Sequence, residues 1–174
     1  MNIFCDRFTT GQVVAVTCLP NNTLQSWLKR GVLTGMPSSP IGGGGVSGSH
    51  RRFSFCSVME VAVAKALGDV GLSAANAVLA AKRFAHAGDV EPIRFPGLPF
   101  DDRGKLGNTM LCAAGGQSSV VFSTPGTDVL SKISARLGRG FVVLEINDLF
   151  DNVVAALGYH PTDVMATAYQ RDSQ

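Results

Sequence analysis

The chain has 174 residues, 45% hydrophobic and 16% charged, with a net charge of +2 at pH 7. That composition belongs to a globular protein with length for one ordinary domain or two small ones, and it excludes wholesale disorder. No apolar run reaches the roughly 18 residues of a membrane-spanning helix. The opening Met1-Asn2-Ile3-Phe4-Cys5-Asp6-Arg7 lacks the basic and apolar regions of a secretory signal, so a cytoplasmic protein is expected.

Charge is spread unevenly. Residues 1–90 hold eight Lys/Arg against four Asp/Glu, whereas residues 91–174 hold seven against nine. A polyanionic partner is therefore expected to meet the N-terminal part. Cys5, Cys18, Cys56 and Cys112 are scattered, with no Cys-x-x-Cys pair. Reduced, mostly buried thiols are expected rather than a zinc site or a disulfide framework.

Thr9-Thr10-Gly11-Gln12 has the form of a capping box, in which a threonine hydroxyl satisfies a helix-end amide while the glutamine reaches back. It predicts a helix over Thr10–Thr17. Leu19-Pro20-Asn21 interrupts that helix, Asn22 is placed to cap a second one reaching about Arg30, and Gly31 supplies its stop. Two short helices across a turn of this length are the pattern of a helix-turn-helix. In the second, Leu24, Trp27 and Leu28 form an apolar stripe at helical spacing. Asn22, Gln25, Ser26, Lys29 and Arg30 are left on the opposite face.

Val32-Leu33-Thr34 and Arg51-Arg52-Phe53-Ser54 are read as paired strands of a wing, joined by the Gly-, Ser- and Pro-rich stretch Gly35–His50. Phe53 and Phe55 are assigned to the core. Ser54 predicts a cap for a helix over Phe55–Leu67, and Ser73 for another running to about Ala87, closed by Gly88. Three prolines and three glycines between Asp89 and Asn108 read as a linker. Beyond it the pattern predicts strands at Thr109–Ala113 and Ser118–Ser123, then a helix at Thr127–Leu137. A strand at Phe141–Ile146 and a helix at Asp148–Leu157 follow. The expected class is α+β: a winged helix-turn-helix domain over residues 1–88, a linker over 89–108, and a small α/β module over 109–174.

Several sharper chemical readings fail. The run Gly42–Gly45 invites a phosphate-loop reading, but a Walker loop ends in Gly-Lys-Ser/Thr and this one reaches Ser49-His50. Cys56, His50, His86 and His160 stand in unrelated contexts, without a nucleophile-and-base arrangement or metal-ligand spacing. No catalytic residue, metal or cofactor is expected.

The order of these motifs resembles the DNA-binding domain of the MerR family of winged-helix regulators. Thr10-Gly11-Gln12-Val13-Val14 is similar to its opening helix. Thr23-Leu24-Gln25-Ser26-Trp27-Leu28-Lys29-Arg30-Gly31-Val32-Leu33 is similar to its recognition helix and exit. His50-Arg51-Arg52-Phe53-Ser54 is similar to its arginine-bearing wing strand, and Gly71-Leu72-Ser73 to the turn before its next helix. The likeness covers about residues 9–85.

It implies a homodimer on a near-palindromic duplex site. The implied contacts are Thr10 at the first helix, Asn22, Thr23, Gln25, Ser26, Lys29 and Arg30 on the second, and His50, Arg51 and Arg52 on the wing. Two features depart from the family: the loop between Leu33 and Arg51 is longer and richer in glycine, and the helix after Gly71 ends at Gly88 instead of extending into a dimerisation coil. The function expected is a sequence-specific transcriptional regulator, bacterial or from a mobile element. The alternative is an architectural DNA-binding factor of the excisionase type, or the DNA-recognition subunit of a phage packaging machine. Residues 109–174 are assigned dimerisation or partner contact.

Overall fold

The computed structural model describes residues 2–36, 39–41, 50–101, 107–138 and 140–170. A short strand β1 (Phe8–Thr9) runs directly into helix α1 (Thr10–Thr17). The capping box forms as expected: Gln12 N–H donates to Thr9 Oγ1 at 3.3 Å, and Thr9 N–H donates to Gln12 Oε1 at 2.9 Å. The helix ends at Cys18, whose backbone is left-handed at φ +52°.

Helix α2 (Asn21–Lys29) starts earlier than expected, and Asn22 is not its cap. Pro20 holds that position. Its carbonyl accepts the Thr23 and Leu24 amides at 3.0 and 3.1 Å, and it needs no N–H of its own there. The Asn22 carboxamide instead accepts the neighbouring Thr23 amide at 2.8 Å. Gly31 does end the helix. At φ +66° it allows Gly31 N–H to reach Leu28 O at 3.2 Å and Val32 N–H to reach Trp27 O at 3.0 Å, a paired closure that satisfies two end carbonyls.

The strand pairing differs from the expected wing. Val32–Thr34 forms no strand; β2 (Gly35–Met36) pairs with β3 (Ser39–Pro40). The arginine-bearing strand β4 (Arg52–Phe53) pairs antiparallel with β1, with Phe8 opposite Phe53 and Thr9 opposite Arg52. Burial explains the choice. Phe8 and Phe53 are both in the core, on the same side of the two-strand ladder, while Leu33 is buried and held by the α2 closure through its amide to Trp27 O at 3.3 Å. The glycine-rich tip Gly42–Ser49 lies outside the described residues.

Ser54 caps α3 (Phe55–Asp69), its hydroxyl accepting the Ser57 amide at 3.2 Å. The helix runs through Gly68, and the chain turns only at Gly71, φ +99°, where Leu72 N–H reaches Leu67 O at 3.1 Å. Ser73 caps α4 (Ala74–His86). The stretch read as a linker contains a hairpin, β5 (Asp89–Val90) with β6 (Ile93–Arg94). After it come β7 (Asn108–Ala114), β8 (Gln117–Ser123), α5 (Val129–Leu137), β9 (Val142–Glu145), α6 (Ile146–Ala156) and α7 (Pro161–Tyr169). The predicted β-β-α-β-α order is present with α7 added, and β7 lies between β8 and β9 in an antiparallel sheet. Asp128 moves the start of α5 later than Thr127 by capping it, accepting Ser131 N–H at 3.1 Å. With these helices and small antiparallel sheets the fold is α+β.

α3 is the centre of the molecule. It is buried almost continuously from Phe55 to Leu67, packed against α4, α1 and α6. One apolar cluster contains Leu24, Trp27 and Phe53 together with Ile146, Phe150 and Val153, so the segments 2–88 and 107–170 share a core. Phe55 links them, meeting Phe4 edge-on at 5.7 Å and Phe150 edge-on at 6.2 Å. Such pairs contribute about 0.5–1.5 kcal/mol each beyond burial.

Residues 94–100 are packed into the same body, while the hairpin tip 90–93 is exposed. Arg94 is 2% exposed. Its Nε donates to Asp89 Oδ2 at 2.6 Å, and its terminal nitrogens donate to the carbonyls of Ala87 at 2.6 Å, Phe84 at 3.1 Å, Phe95 at 3.3 Å and Leu98 at 3.4 Å. Its guanidinium also lies 5.0 Å from the Phe84 ring centre. The Tyr169 hydroxyl of α7 donates to Pro99 O at 2.5 Å, and that of Tyr159 donates to Asp6.

The cysteines correct an expectation. Cys5 and Cys18 are exposed, Cys56 is half-buried and Cys112 is buried; all four are free thiols. Burial pushes the Cys112 thiol up to about 11 and raises that of Cys56. Among the described residues, no helix is long and apolar enough to cross a membrane.

Candidate nucleic-acid interface

α2 has two sharply different faces. Leu24, Trp27 and Leu28 are buried, while Asn22, Gln25, Ser26, Lys29 and Arg30 are all exposed, and Thr23 lies half-buried between them. The exposed five recur at three- and four-residue steps, which is one side of a helix. Gln25 Nε2 reaches Asn21 Oδ1 at 3.4 Å, whereas Ser26, Lys29 and Arg30 make no side-chain hydrogen bond or ion pair among the described residues. The fold therefore uses the apolar side and leaves the polar side to solvent. Lys29 in the last turn is also favourable to the helix dipole.

The second basic element is β4 and the residues before it. Arg52 and His50 are exposed and Arg51 is half-buried. The β1–β4 ladder sets Arg52 across from Thr9, the cap of α1, with half-buried Thr10 next in the chain. α1 in turn contacts α2 and β4. The arginine strand and the helix pair are thus parts of one packed unit. No hydrogen bond joins the polar face of α2 to His50, Arg51 or Arg52 among the described residues.

Sequence reasoning missed β1, and with it Arg7. This residue is exposed and immediately precedes Phe8, so it flanks the ladder that carries Arg52. The available signal was the pair of phenylalanines, each beside a polar residue, at Phe8-Thr9 and Arg52-Phe53.

The histidines and Cys56 remain dispersed, with one correction. His86 does have a carboxylate partner: its Nε2 lies 2.7 Å from Glu60 Oε2 in the α3–α4 interface, where both side chains are buried. Glu60 Oε1 has no hydrogen-bond partner among the described residues. Cys56 Sγ donates weakly to Pro96 O at 3.7 Å, and His160 Nδ1 lies 2.7 Å from Thr162 Oγ1. No group of three or more His, Cys, Asp or Glu gathers into a metal-holding cluster among the described residues.

No protein-family model and no curated protein matches the chain.

Proposed function

We propose that the protein is a sequence-specific DNA-binding regulator of the winged helix-turn-helix type, similar to MerR regulators, acting in the cytoplasm as a homodimer. The observation that carries this reading is the β1–β4 ladder. It fastens the exposed Arg52 opposite Thr9, at the root of a helix pair whose second member presents Asn22, Gln25, Ser26, Lys29 and Arg30 to solvent. In this reading α2 enters the major groove. Gln25 and Ser26 contact base edges, and Asn22, Thr23 and Thr10 support that register. Lys29, Arg30, His50, Arg51 and Arg52 contact phosphates or a narrow minor groove. A two-fold dimer, joined through residues 109–174, would place two such helices about 34 Å apart in successive major grooves.

The test separates positioning charges from base readers. Arg51→Ala with Arg52→Ala should weaken specific and unrelated duplexes by similar factors and lower the salt slope by about one unit for each phosphate no longer neutralised. An unchanged affinity and slope would remove the strand from the interface.

One observation favours a second reading, an architectural factor of the excisionase type or the DNA-recognition subunit of a phage packaging machine. α4 stops at His86 and is followed at once by the β5–β6 hairpin, which leaves no long helix for a MerR-type dimerisation coil. Footprinting decides between them. A compact palindrome over a promoter supports the regulator; an extended array with bending supports the architectural factor.

A further inference from the structure

A groove of about 630 Å³ lies between α4, the turn joining β7 to β8, and α5. Arg83 enters it from α4 and Arg136 from α5, with Ser118 and Ser119 of β8 between them. No carboxylate lines it among the described residues. Arg136 Nη1 donates to Ser119 Oγ at 3.3 Å, which holds that guanidinium against the sheet. Arg83 has no ion pair or side-chain hydrogen bond among the described residues, and Arg136 has none besides Ser119.

Each arginine sits in the last turn of its helix, where the dipole already favours a cation. The dipole explains neither the convergence of two guanidinium groups on one groove nor the exclusion of acidic residues from it. The hairpin approaches α4 closely at Gly116, where an added Cβ would lie 2.7 Å from Leu79 Cδ2 and would push that exposed side chain aside.

We propose that this groove is a phosphate-binding site in which Arg83 and Arg136 grip the anion and the Ser119 hydroxyl adds a hydrogen bond, the Ser118 hydroxyl being already donated to Ala80 O at 3.2 Å. Guanidinium groups match phosphate oxygens in charge and in fork geometry, which makes two arginines without a carboxylate partner a stronger match to phosphate than to a single carboxylate. The volume exceeds a lone phosphate and falls in the range of small-molecule sites. Leu79 and Leu137 on the rim suit a less polar body attached to the anion. The site does not involve α2 or β4, so it stands apart from the DNA-binding reading above.

The probe is pyrophosphate, titrated into the full chain and followed by calorimetry and by the amide resonances of Gln117, Ser118 and Ser119. The expected result is saturable binding that moves these amides, weakened roughly tenfold or more in Arg83→Gln with Arg136→Gln. Both side chains are exposed, and unchanged thermal unfolding of the variant checks that it folds. Absence of shifts at these amides in the wild-type chain overturns the proposal without reference to any variant. Equal affinity in the folded double variant also overturns it. Duplex DNA added to the pyrophosphate complex separates the sources of phosphate. Displacement from the groove identifies the nucleic-acid backbone, whereas retention together with binding of adenosine monophosphate identifies a free phosphate compound.

Discussion

Arg94 and the basic residues of α2 carry the same charge in opposite circumstances. Arg94 is enclosed by Asp89, four carbonyls and an aromatic ring, so its donors are consumed in holding residues 84–98 together. The side chains of Lys29 and Arg30 make no hydrogen bond or ion pair among the described residues. A cation enclosed by backbone carbonyls belongs to the fold, whereas a row of polar residues opposite a buried apolar stripe is left available for a ligand. Charge totals do not make this distinction; partners do.

The largest expected effect tests the enclosed side. Arg94→Met should lower stability by about 3–5 kcal/mol, because Asp89 and several buried carbonyls lose their donor together. Chemical denaturation measures it, and a drop below about 1 kcal/mol would place Arg94 with the exposed cations. Next comes the other buried pair. His86→Ala leaves the Glu60 carboxyl, already with one oxygen unpartnered, without its remaining hydrogen bond, and should cost about 2–3 kcal/mol in the same assay.

A smaller effect concerns alkaline pH. Burial, with the Asp6 contact, pushes the Tyr159 phenol up to about 12, and burial pushes Tyr169 up to about 12. Both phenols keep their protons longer folded than unfolded. Their contribution is therefore complete below about pH 10 and is lost as pH rises from 10 towards 12. Tyr169→Phe should reduce neutral stability by about 1 kcal/mol, by removing the bond to Pro99 O, and flatten the decline above pH 10. An unchanged alkaline slope would contradict the assignment.

The smallest stability effect belongs to the exposed face. Lys29→Ala, Arg30→Ala and Gln25→Ala should each stay within about 0.5 kcal/mol of the parent. On the proposed function, Gln25→Ala also loses about 1–3 kcal/mol of specific DNA affinity while non-specific binding is spared. A destabilisation comparable to that of Arg94→Met would show that the face is structural.

The helices were legible because their signals are local. The Thr9–Gln12 capping box, the Ser54 and Ser73 caps and the Gly31 stop depend on residues within one turn, and each reappears in the structure. The split of α2 into Leu24-Trp27-Leu28 and its polar opposite was readable for the same reason. Strand partners were less legible. β4 pairs with a two-residue strand more than forty positions upstream, and nothing local to Arg51–Ser54 marks Phe8–Thr9 as the better neighbour than Val32–Thr34. The role of Arg94 was hidden similarly. A proline- and glycine-rich stretch reads as a connection, and only the folded chain reveals four carbonyls arranged around its guanidinium. The groove of Arg83 and Arg136 joins residues more than fifty positions apart, beyond the reach of spacing arguments.

The contact between Tyr159 and Asp6 closes a loop of 153 residues, and the stack of Phe4, Phe55 and Phe150 is closed only by α6. During synthesis the helix pair α1–α2 therefore leaves the ribosome long before the residues that complete its core. At translation speeds of about 5–20 residues per second, the interval between Phe55 and Phe150 is on the order of 10 s. Over that interval the nascent chain carries Phe55 without Phe150, so its apolar surface is a target for chaperones and its polar helix face is mounted on an unfinished scaffold.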